Sequence, residues 1–374
     1  MIDMRVLIAG GGTGGHLYPG MAVAEEVLAR PGGEVLFVGT ARGLEVRVVP
    51  AAGLPLALID VRGIKGTGAA GFARGLKRLP HAFLSCVRIL HRFRPDVVVG
   101  VGGYASGPLV LAAAMTGYPT AILEQNSVPG VTNRILGRFV RAVFVAWDGA
   151  RGFFRADKTS LLGNPVRKSF LGSAAAAAAT AATASSKVAG DGGSPTVLVS
   201  GGSQGARAVN DLFADAAALL AARGALPRVV HQTGAADADR VLARYHHLGI
   251  AARVTVTPFI DDMAAAFRAA DLVVGRAGAL TLAELAVVGR PAVLIPFPHA
   301  TDDHQTVNAA EMERAGAAAV LAQRDATPER LAALLGDLLA APARRDAMAA
   351  AMTALGRPHA ARQIVDRLEG LANR

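Results

Sequence analysis

Short apolar runs that end in glycine recur along the chain. The run at residues 6–16 reads VLIAGGGTGGH, and the run at residues 197–206 reads VLVSGGSQGA. Apolar, often β-branched runs that stop at glycine predict buried strands, and a helical pattern follows each glycine loop. Because the two segments lie about 190 residues apart, they are predicted to be the first strands of two similar halves rather than units of a short repeat.

More apolar runs alternate with helical patterns in both halves. The predicted strands are Glu34–Val38, Asp96–Val101, Thr120–Glu124 and Ala142–Ala146 in the first half, and Arg228–Gln232, Arg253–Thr257, Leu272–Gly275 and Ala292–Pro296 in the second. Strands without polar alternation, separated by helices, are typical of parallel sheets covered on both faces. The predicted fold class is therefore α/β, with two Rossmann-like domains whose parallel sheets face a central cleft.

The length of 374 residues fits two domains. We predict an N-terminal domain at residues 1–168, a linker or insertion at 169–195 and a C-terminal domain at 196–374. Residues 173–195 are rich in Ala, Thr, Ser and Gly and offer little to pack. The last helix of the chain is a candidate to pack back on the N-terminal domain.

The first glycine loop formally matches a dinucleotide fingerprint, since residues 10–15 satisfy G-x-G-x-x-G. Such sites also carry an acidic residue at the end of the next strand, where it binds the ribose. Here that strand ends FVGT at residues 37–40, which argues against an NAD-dependent oxidoreductase. Both glycine loops fit either a tight turn or a phosphate cradle, and His16 and Ser203 place polar side chains at their tips.

A second candidate site follows the strand that ends at Gly275. Residues 275–284 read GRAGALTLAE, and a helix is predicted to start near Ala279. Its N-terminal amides suit a diphosphate, and the Glu284 carboxylate suits ribose hydroxyls, although Thr281 and Glu284 are also ordinary residues for a helix start. Gln305 and Asn308 are three residues apart on a later helix, where amides suit sugar hydroxyls.

Taken together, the glycine-rich and polar motifs form an ordered series. They are GGTGGH (11–16), GGYASGP (102–108), EQN (124–126), GNPVR (163–167), GGSQGA (201–206), HQTG (231–234), FIDDM (259–263), GRAGALT with its following Glu (275–284) and HQTVNA (304–309). This series resembles the peptidoglycan N-acetylglucosaminyltransferases of glycosyltransferase family 28 over nearly the whole chain.

The resemblance implies the GT-B fold and a hexosyltransferase that moves GlcNAc from UDP-GlcNAc. The acceptor would be the C4 hydroxyl of MurNAc in undecaprenyl-pyrophosphoryl-MurNAc-pentapeptide (lipid I). The product would be lipid II of peptidoglycan synthesis, formed with inversion at the sugar carbon.

The resemblance also implies a set of substrate-binding residues. They are Thr13, Gly14, Gly15, Asn126, Arg167, Ser203, Ile260, Ala279, Leu280, Thr281, Leu282, Ala283, Glu284 and Gln305. Residues 13–15 would lie at the donor phosphate and sugar, and Ser203 would contact the diphosphate. The backbone of Ile260 would meet the uracil, while Glu284 would bind the ribose and Gln305 the GlcNAc.

Transfer with inversion needs a base for the acceptor hydroxyl and stabilisation of the departing UDP. His16 is the candidate catalytic residue, because an imidazole with a pKa near 6.5 suits proton transfer at neutral pH. An orienting role for His16, by a hydrogen bond to acceptor or phosphate, stays equally open. Arg167 and helix amides suit the leaving group. We predict neither a metal nor a cofactor. The candidate metal-binding pair of carboxylates, Asp237-x-Asp239, lies in a predicted helical stretch.

The net charge of +10 favours anionic partners. With the resemblance, the predicted partners are UDP-GlcNAc, the undecaprenyl-linked MurNAc-pentapeptide and an anionic membrane surface, but not nucleic acid. Other proteins of cell-wall synthesis are further candidates.

A basic amphipathic stretch at residues 72–94 reads FARGLKRLPHAFLSCVRILHRFR. Such a stretch either covers a sheet or lies on anionic lipid, and we expect residues 64–83 to contact lipid. Pro80 is predicted to break it into two pieces.

The sequence contains neither an apolar run of membrane-spanning length nor a signal-peptide pattern, and Cys86 is its one cysteine. These features predict a cytoplasmic protein, and the lipid acceptor that the resemblance implies places it as a peripheral protein on the cytoplasmic face of the inner membrane. The alternative functions are a UDP-GlcNAc 2-epimerase of the same fold, which needs no lipid acceptor, and a non-catalytic nucleotide-binding module, which needs no His16.

Overall fold

In a computed structural model the chain forms two compact units. The first contains Met1–Arg167 and Arg357–Arg374, and the second contains Lys168–Gly356. The structure describes residues 4–61, 68–172, 194–202 and 204–373, with the backbone alone for residues 68–80. Most of the predicted linker, residues 173–193, therefore lies outside the described residues.

The first unit is built on a parallel sheet of seven strands in the order β3-β2-β1-β4-β5-β6-β7. The strands are β1 (Arg5–Gly10), β2 (Glu34–Gly39), β3 (Leu56–Leu58), β4 (Val97–Gly102), β5 (Thr120–Glu124), β6 (Ala142–Val145) and β7 (Thr159–Leu161). The strand order reverses between β1 and β4, which is where sheets of this kind bind ligands.

The helices that connect these strands are α1 (Gly14–Leu28), α2 (Glu45–Ala51), α3 (Gly68–Phe93), α4 (Ser106–Met115) and α5 (Val131–Leu136). Side chains of β1 alternate between the two faces of the sheet. Val6 and Ile8 pack with α1 on one face, and Leu7 and Ala9 pack with α3 and α4 on the other. The sheet is thus buried on both faces, as its unbroken apolar strands predict.

Helix α3 is a single helix of 26 residues that continues through Pro80. The predicted break at Pro80 is therefore wrong. A proline in a helix interior costs about 3 kcal/mol, which packing can offset. Ala82, Cys86 and Leu90, spaced four apart, are buried on the sheet. No helix within the described ranges combines the length and hydropathy of a membrane span.

The second unit repeats the plan with a parallel sheet in the order β10-β9-β8-β11-β12-β13. Its strands are β8 (Thr196–Ser200), β9 (Arg228–Gln232), β10 (Val254–Thr257), β11 (Leu272–Gly275), β12 (Ala292–Leu294) and β13 (Ala318–Val320). Its helices are α6 (Arg207–Ala222), α7 (Ala238–His247), α8 (Met263–Ala269), α9 (Ala279–Val288), α10 (His304–Arg314), α11 (Pro328–Ala340) and α12 (Pro342–Leu355). The six strands follow the order of a Rossmann sheet, and the predicted α/β fold class is confirmed.

The last helix, α13 (Ala360–Ala372), belongs to the first unit and packs on α1. Its Ile364 and Leu368 enter the core beside β1. At the edge of this contact Arg30 forms ion pairs with Asp366 at 2.6 Å and with Glu369 at 2.5 Å. Because these pairs are partly exposed, burial of the apolar side chains supplies most of the stabilisation.

Candidate active site

The first glycine loop lies at the end of β1, where the strand order of the first unit reverses. Gly10 pairs with Gly102 of β4, and Thr13 caps α1 in an extended conformation. The loop thus carries the predicted residues Thr13, Gly14 and Gly15 to the start of a helix. The position above the carboxyl ends of the strands is the usual ligand site of such sheets.

His16 stands in the first turn of α1 and is partly exposed. Its Nδ1 atom lies 3.4 Å from Thr13 Oγ1. The imidazole packs on the main chain of Gly102, which has φ of 93° and where a Cβ would lie 2.5 Å from His16 Cδ2. Only glycine fits there, so the GGYASGP motif provides the surface on which the ring rests.

Glu45, the first residue of α2, is a buried carboxylate that our sequence analysis missed. Its Oε2 accepts a hydrogen bond of 2.7 Å from the Gly12 amide. Its Oε1 accepts bonds from the amide and the hydroxyl of Thr40, at 2.8 and 3.1 Å. An acid near the first glycine loop therefore exists, but it binds the protein's own amides. Glu45 was missed because the dinucleotide pattern places the acidic residue at the end of the second strand, near Thr40, which is five residues before Glu45.

The EQN motif forms a buried polar network at the end of β5. Glu124 accepts hydrogen bonds from the Asn126 amide at 3.0 Å and from Asn133 Nδ2 at 2.8 Å. Burial raises the pKa of the Glu124 carboxyl, and these hydrogen bonds oppose the rise. Gln125 donates to the main chain of Val101 at 2.9 Å. The network holds Asn126, a predicted donor-site residue, against the sheet.

Arg167 is the last residue of the first of the two chain segments that form the first unit. Its guanidinium lies 5.1 Å from the ring centroid of Tyr18 on α1, within the range of a cation–π contact. Tyr18 also lies beside Gly14. The structure therefore brings Arg167 to the first turns of α1, which also carry Gly14 and His16.

The second unit holds a cleft of about 580 Å³ beside the second glycine loop. Its lining includes Thr281 and Gln305 of the predicted set, and Gly278, which caps α9. The volume suits a ligand of moderate size, and the first amides of α9 have no partner within their own helix. Ser203 lies outside the described residues.

Two arginines, Arg207 and Arg276, also line this cleft. Arg276 is nearly buried, and its Nη1 donates to the carbonyls of Ile295 and Pro296 at 3.0 and 3.1 Å. Burial lowers the pKa of Arg276, yet a guanidinium stays charged. Arg276 belongs to the GRAGALT motif, but it was not among the predicted site residues. An arginine directly after a buried strand, at the ligand edge of the sheet, was the available signal.

The two side-chain amides that were predicted to suit the sugar lie in different environments. Gln305 lines the cleft, and its Oε1 accepts a bond of 3.0 Å from the Phe297 amide. Asn308 is fully buried and donates to the carbonyl of Ala277 at 3.3 Å, so it supports the loop before α9. Gln323, which was not predicted, also lines the cleft, and within the described ranges its buried Oε1 has no hydrogen-bond partner.

The remaining predicted residues of the second unit do not line this cleft. Leu282, Ala283 and Glu284 are buried in α9, and Ile260 is a partly buried residue after β10. Ala279 and Leu280 form the first turn of α9, where their amides face its N-terminus. The substrate contacts of all these residues stay predictions.

The HQTG motif supports the second glycine loop. His231 is buried between Tyr245 Oη at 2.8 Å and Asn210 Oδ1 at 3.1 Å, and burial lowers its pKa to about 3. It is therefore neutral at physiological pH. The next residue, Gln232, accepts a bond of 2.7 Å from Ser200 Oγ and holds the Gly202 carbonyl at 3.4 Å.

Across the part of the chain that the structure describes, no three His, Cys, Asp or Glu side chains are grouped to hold a metal ion. The polar groups at the two candidate sites are helix amides, arginines, amide side chains and the partly exposed imidazole of His16. This set suits a phosphorylated, hydroxyl-rich ligand.

Two Rossmann-like units, each with a glycine loop at its first strand-to-helix turn, define the GT-B class. Models described as the glycosyltransferase family 28 N-terminal domain and C-terminal domain match residues 6–145 and 196–366. The chain therefore belongs to glycosyltransferase family 28, and the resemblance seen in its motifs is confirmed.

A relative from Anaeromyxobacter dehalogenans (strain 2CP-1 / ATCC BAA-258) is 50% identical over 364 residues, which cover 97% of this chain and 92% of that protein. That relative is named UDP-N-acetylglucosamine--N-acetylmuramyl-(pentapeptide) pyrophosphoryl-undecaprenol N-acetylglucosamine transferase. The crystal structure of Acinetobacter baumannii MurG is 32% identical with a TM-score of 0.79, covering 98% of this chain and 99% of that one. A UDP-GlcNAc 2-epimerase from Neisseria meningitidis has a TM-score of 0.69 at 13% identity, covering 98% of this chain and 100% of that one, which is a likeness of fold alone.

Proposed function

We propose that this protein transfers GlcNAc from UDP-GlcNAc to the C4 hydroxyl of MurNAc in undecaprenyl-pyrophosphoryl-MurNAc-pentapeptide, forming lipid II. The observation that carries the proposal is the 50% identity, over 97% of the chain, to a transferase named for both substrates. The epimerase alternative rests on fold likeness alone, and a module without catalysis leaves His16 without a role.

We assign the donor to the cleft of the second unit. UDP carries a diphosphate, and the cleft presents Arg207, Arg276 and the N-terminus of α9. These groups stabilise an anion without a metal. Gln305 and Gln323 add amide groups suited to the sugar. Positive groups at the leaving diphosphate lower the barrier because negative charge grows there as the bond to the sugar breaks.

We assign the acceptor to the first unit, with His16 as the base. In the transfer step the imidazole takes the proton of the acceptor O4, and O4 forms a bond to C1 of GlcNAc. The bond from C1 to the phosphate oxygen breaks, and its electron pair leaves with UDP. Attack opposite to the leaving group inverts C1. His16 suits this step because its ring is partly exposed yet fixed on the main chain of Gly102.

The test offers the full-length protein UDP-GlcNAc with and without a lipid-linked MurNAc acceptor. Release of UDP together with a lipid-linked disaccharide, only when the acceptor is present, is the expected result. Epimerisation of UDP-GlcNAc without acceptor would support the epimerase. Binding of UDP with no turnover in either arm would support the non-catalytic module.

We also propose that the protein binds the cytoplasmic face of the inner membrane as a peripheral protein. Residues 62–67, and the side chains of 68–80, lie outside the described part of the predicted segment. In the described part Leu84 is 53% exposed, and Arg88 is exposed one turn later. Helix α4 packs against both α3 and α5. Ile135 of α5, and Phe139 just after that helix, are also about half exposed. Apolar side chains among arginines suit an anionic lipid surface.

We expect the protein to float with vesicles that contain phosphatidylglycerol and not with vesicles of phosphatidylcholine alone. Leu84→Asp should weaken the anionic binding about tenfold, because it removes a leucine from the apolar phase and adds a negative charge. The matched control is Leu242→Asp, which changes a leucine of similar exposure on α7 of the second unit. Equal binding of wild type and Leu84→Asp, or no flotation of the wild type, would contradict the proposal.

A further inference from the structure

The Glu45 carboxylate is the polar centre of the first glycine loop. It is 1% exposed and accepts three hydrogen bonds, one from Gly12 and two from Thr40. A buried carboxylate is costly unless such donors compensate it. The bond to Gly12 is the one that reaches the loop, and it joins the start of α2 to the residue just before the cap of α1.

Three glycines make room for this carboxylate. A Cβ at Gly11, Gly39 or Gly43 would overlap the Glu45 side chain. These glycines come from the loop after β1, the end of β2 and the turn before α2. A cradle built from three separate segments indicates that the carboxylate has a defined place in the fold and is not a surface side chain that happens to be covered.

In the second unit the glycine loop is held by neutral side chains instead of a carboxylate. There Ser200 and Gln232 hold the glycine loop, with the Gly202 amide donating to Ser200 Oγ at 3.3 Å. The two loops follow equivalent first strands, β1 and β8. In the second unit neutral groups leave the loop free to attract an anion. In the first unit the protein's own carboxylate already holds a loop amide.

The loop amide that Glu45 holds is next to the residue that contacts His16. Gly12 precedes Thr13, and Thr13 Oγ1 lies 3.4 Å from His16 Nδ1. The carbonyl of Thr13 also accepts from the His16 amide at 3.3 Å and from the Leu17 amide at 3.1 Å. A shift of Gly12 therefore moves the cap of α1 and the first turn that carries the imidazole.

We propose that Glu45 is a positioning residue, which fixes the first glycine loop through Gly12 and thereby sets the place of the His16 ring. Glu45 itself is buried and touches no reacting atom. The kinetic consequence rests on the proposed function of His16, whereas the placement of the ring does not. The two are therefore measured separately.

The variant is Glu45→Gln, which keeps the shape of the side chain. A glutamine has one acceptor oxygen, so it cannot serve both Thr40 and Gly12, and its amide group repels the N–H that it faces. The matched control is Asp96→Asn, the same change of carboxylate to amide at the opposite end of β1. There Asp96 Oδ2 accepts from the Arg5 amide at 2.7 Å, also a main-chain donor.

Two readouts are needed on the full-length protein. The first is the NMR signal of the His16 ring in histidine-labelled protein, assigned by its absence in His16→Ala. The second is the split of kcat and KM for UDP-GlcNAc. We expect Glu45→Gln to shift the His16 signal and lower kcat about tenfold with little change in KM. Asp96→Asn should leave both at wild-type values.

An unshifted His16 signal in Glu45→Gln would overturn the proposal, as would equal shifts in Glu45→Gln and Asp96→Asn. A shifted signal with unchanged kcat would support the positioning by Glu45 and count against His16 as the base, so the two proposals fail separately. Thermal melts of both variants accompany the measurements. If Glu45→Gln does not fold, Thr40→Val keeps the Gly12 bond and should leave the His16 signal in place, and a shift there would contradict the role of Gly12.

Discussion

His16→Ala is expected to lower kcat by about 10²- to 10⁴-fold, the usual contribution of a general acid or base. The dissociation constant for UDP should change less than twofold. The reason is the division between the units: the imidazole rests on Gly102 in the first unit, whereas the cleft with Arg207 and Arg276 belongs to the second. The measurements are turnover with a lipid-linked acceptor and calorimetry with UDP.

His16→Gln separates the two roles that stay open for this histidine. A glutamine can donate and accept hydrogen bonds but cannot take a proton. If His16 only orients the acceptor, His16→Gln keeps a large part of the turnover that His16→Ala loses. If it is the base, both variants are equally slow. His91→Ala, at an exposed histidine near the end of α3, is the control. Near-normal turnover of His16→Ala would rule out the catalytic role.

The central strands of both sheets were predictable, whereas of the edge strands only β10 was predicted. Every predicted strand exists, because central strands of a parallel sheet are buried on both faces and form unbroken apolar runs. The strands β3, β7 and β13, which have three residues each and lie at sheet edges, were not predicted. At an edge, three residues that are mostly not fully buried carry no pattern that separates a strand from a loop.

Some residues of the candidate sites were predictable from the sequence and others were not. Thr281 and Gln305 line the cleft as the motifs predict, because a motif keeps its position after a strand or at a helix start. Glu45 and Gln323 were not predictable from local sequence. The partners of Glu45 lie 5 and 33 residues away, and Gln323 reaches the cleft from a turn beyond β13. Only the folded sheet brings such residues to the loops, so a pattern within one segment cannot reveal them.

Glu284→Ala is expected to weaken UDP-GlcNAc binding about 10- to 100-fold. If the carboxylate accepts hydrogen bonds from two ribose hydroxyls, as the family resemblance implies, its removal costs about 1.5–3 kcal/mol per charged bond that is lost, partly replaced by water. Glu284 is 4% exposed in α9, the helix whose N-terminal cap, Gly278, lines the cleft. The measurement is the dissociation constant by calorimetry.

The burial of Glu284 requires two controls, since a loss of binding can follow from a loss of packing. Glu284→Gln keeps the volume and one acceptor oxygen, so it should bind more tightly than Glu284→Ala and more weakly than wild type. Glu329→Ala removes an exposed carboxylate from α11 of the same unit and changes the net charge equally. It should leave the dissociation constant unchanged. Wild-type affinity in Glu284→Ala would contradict the ribose assignment, and the donor would then be held by the arginines and the α9 amides without this carboxylate.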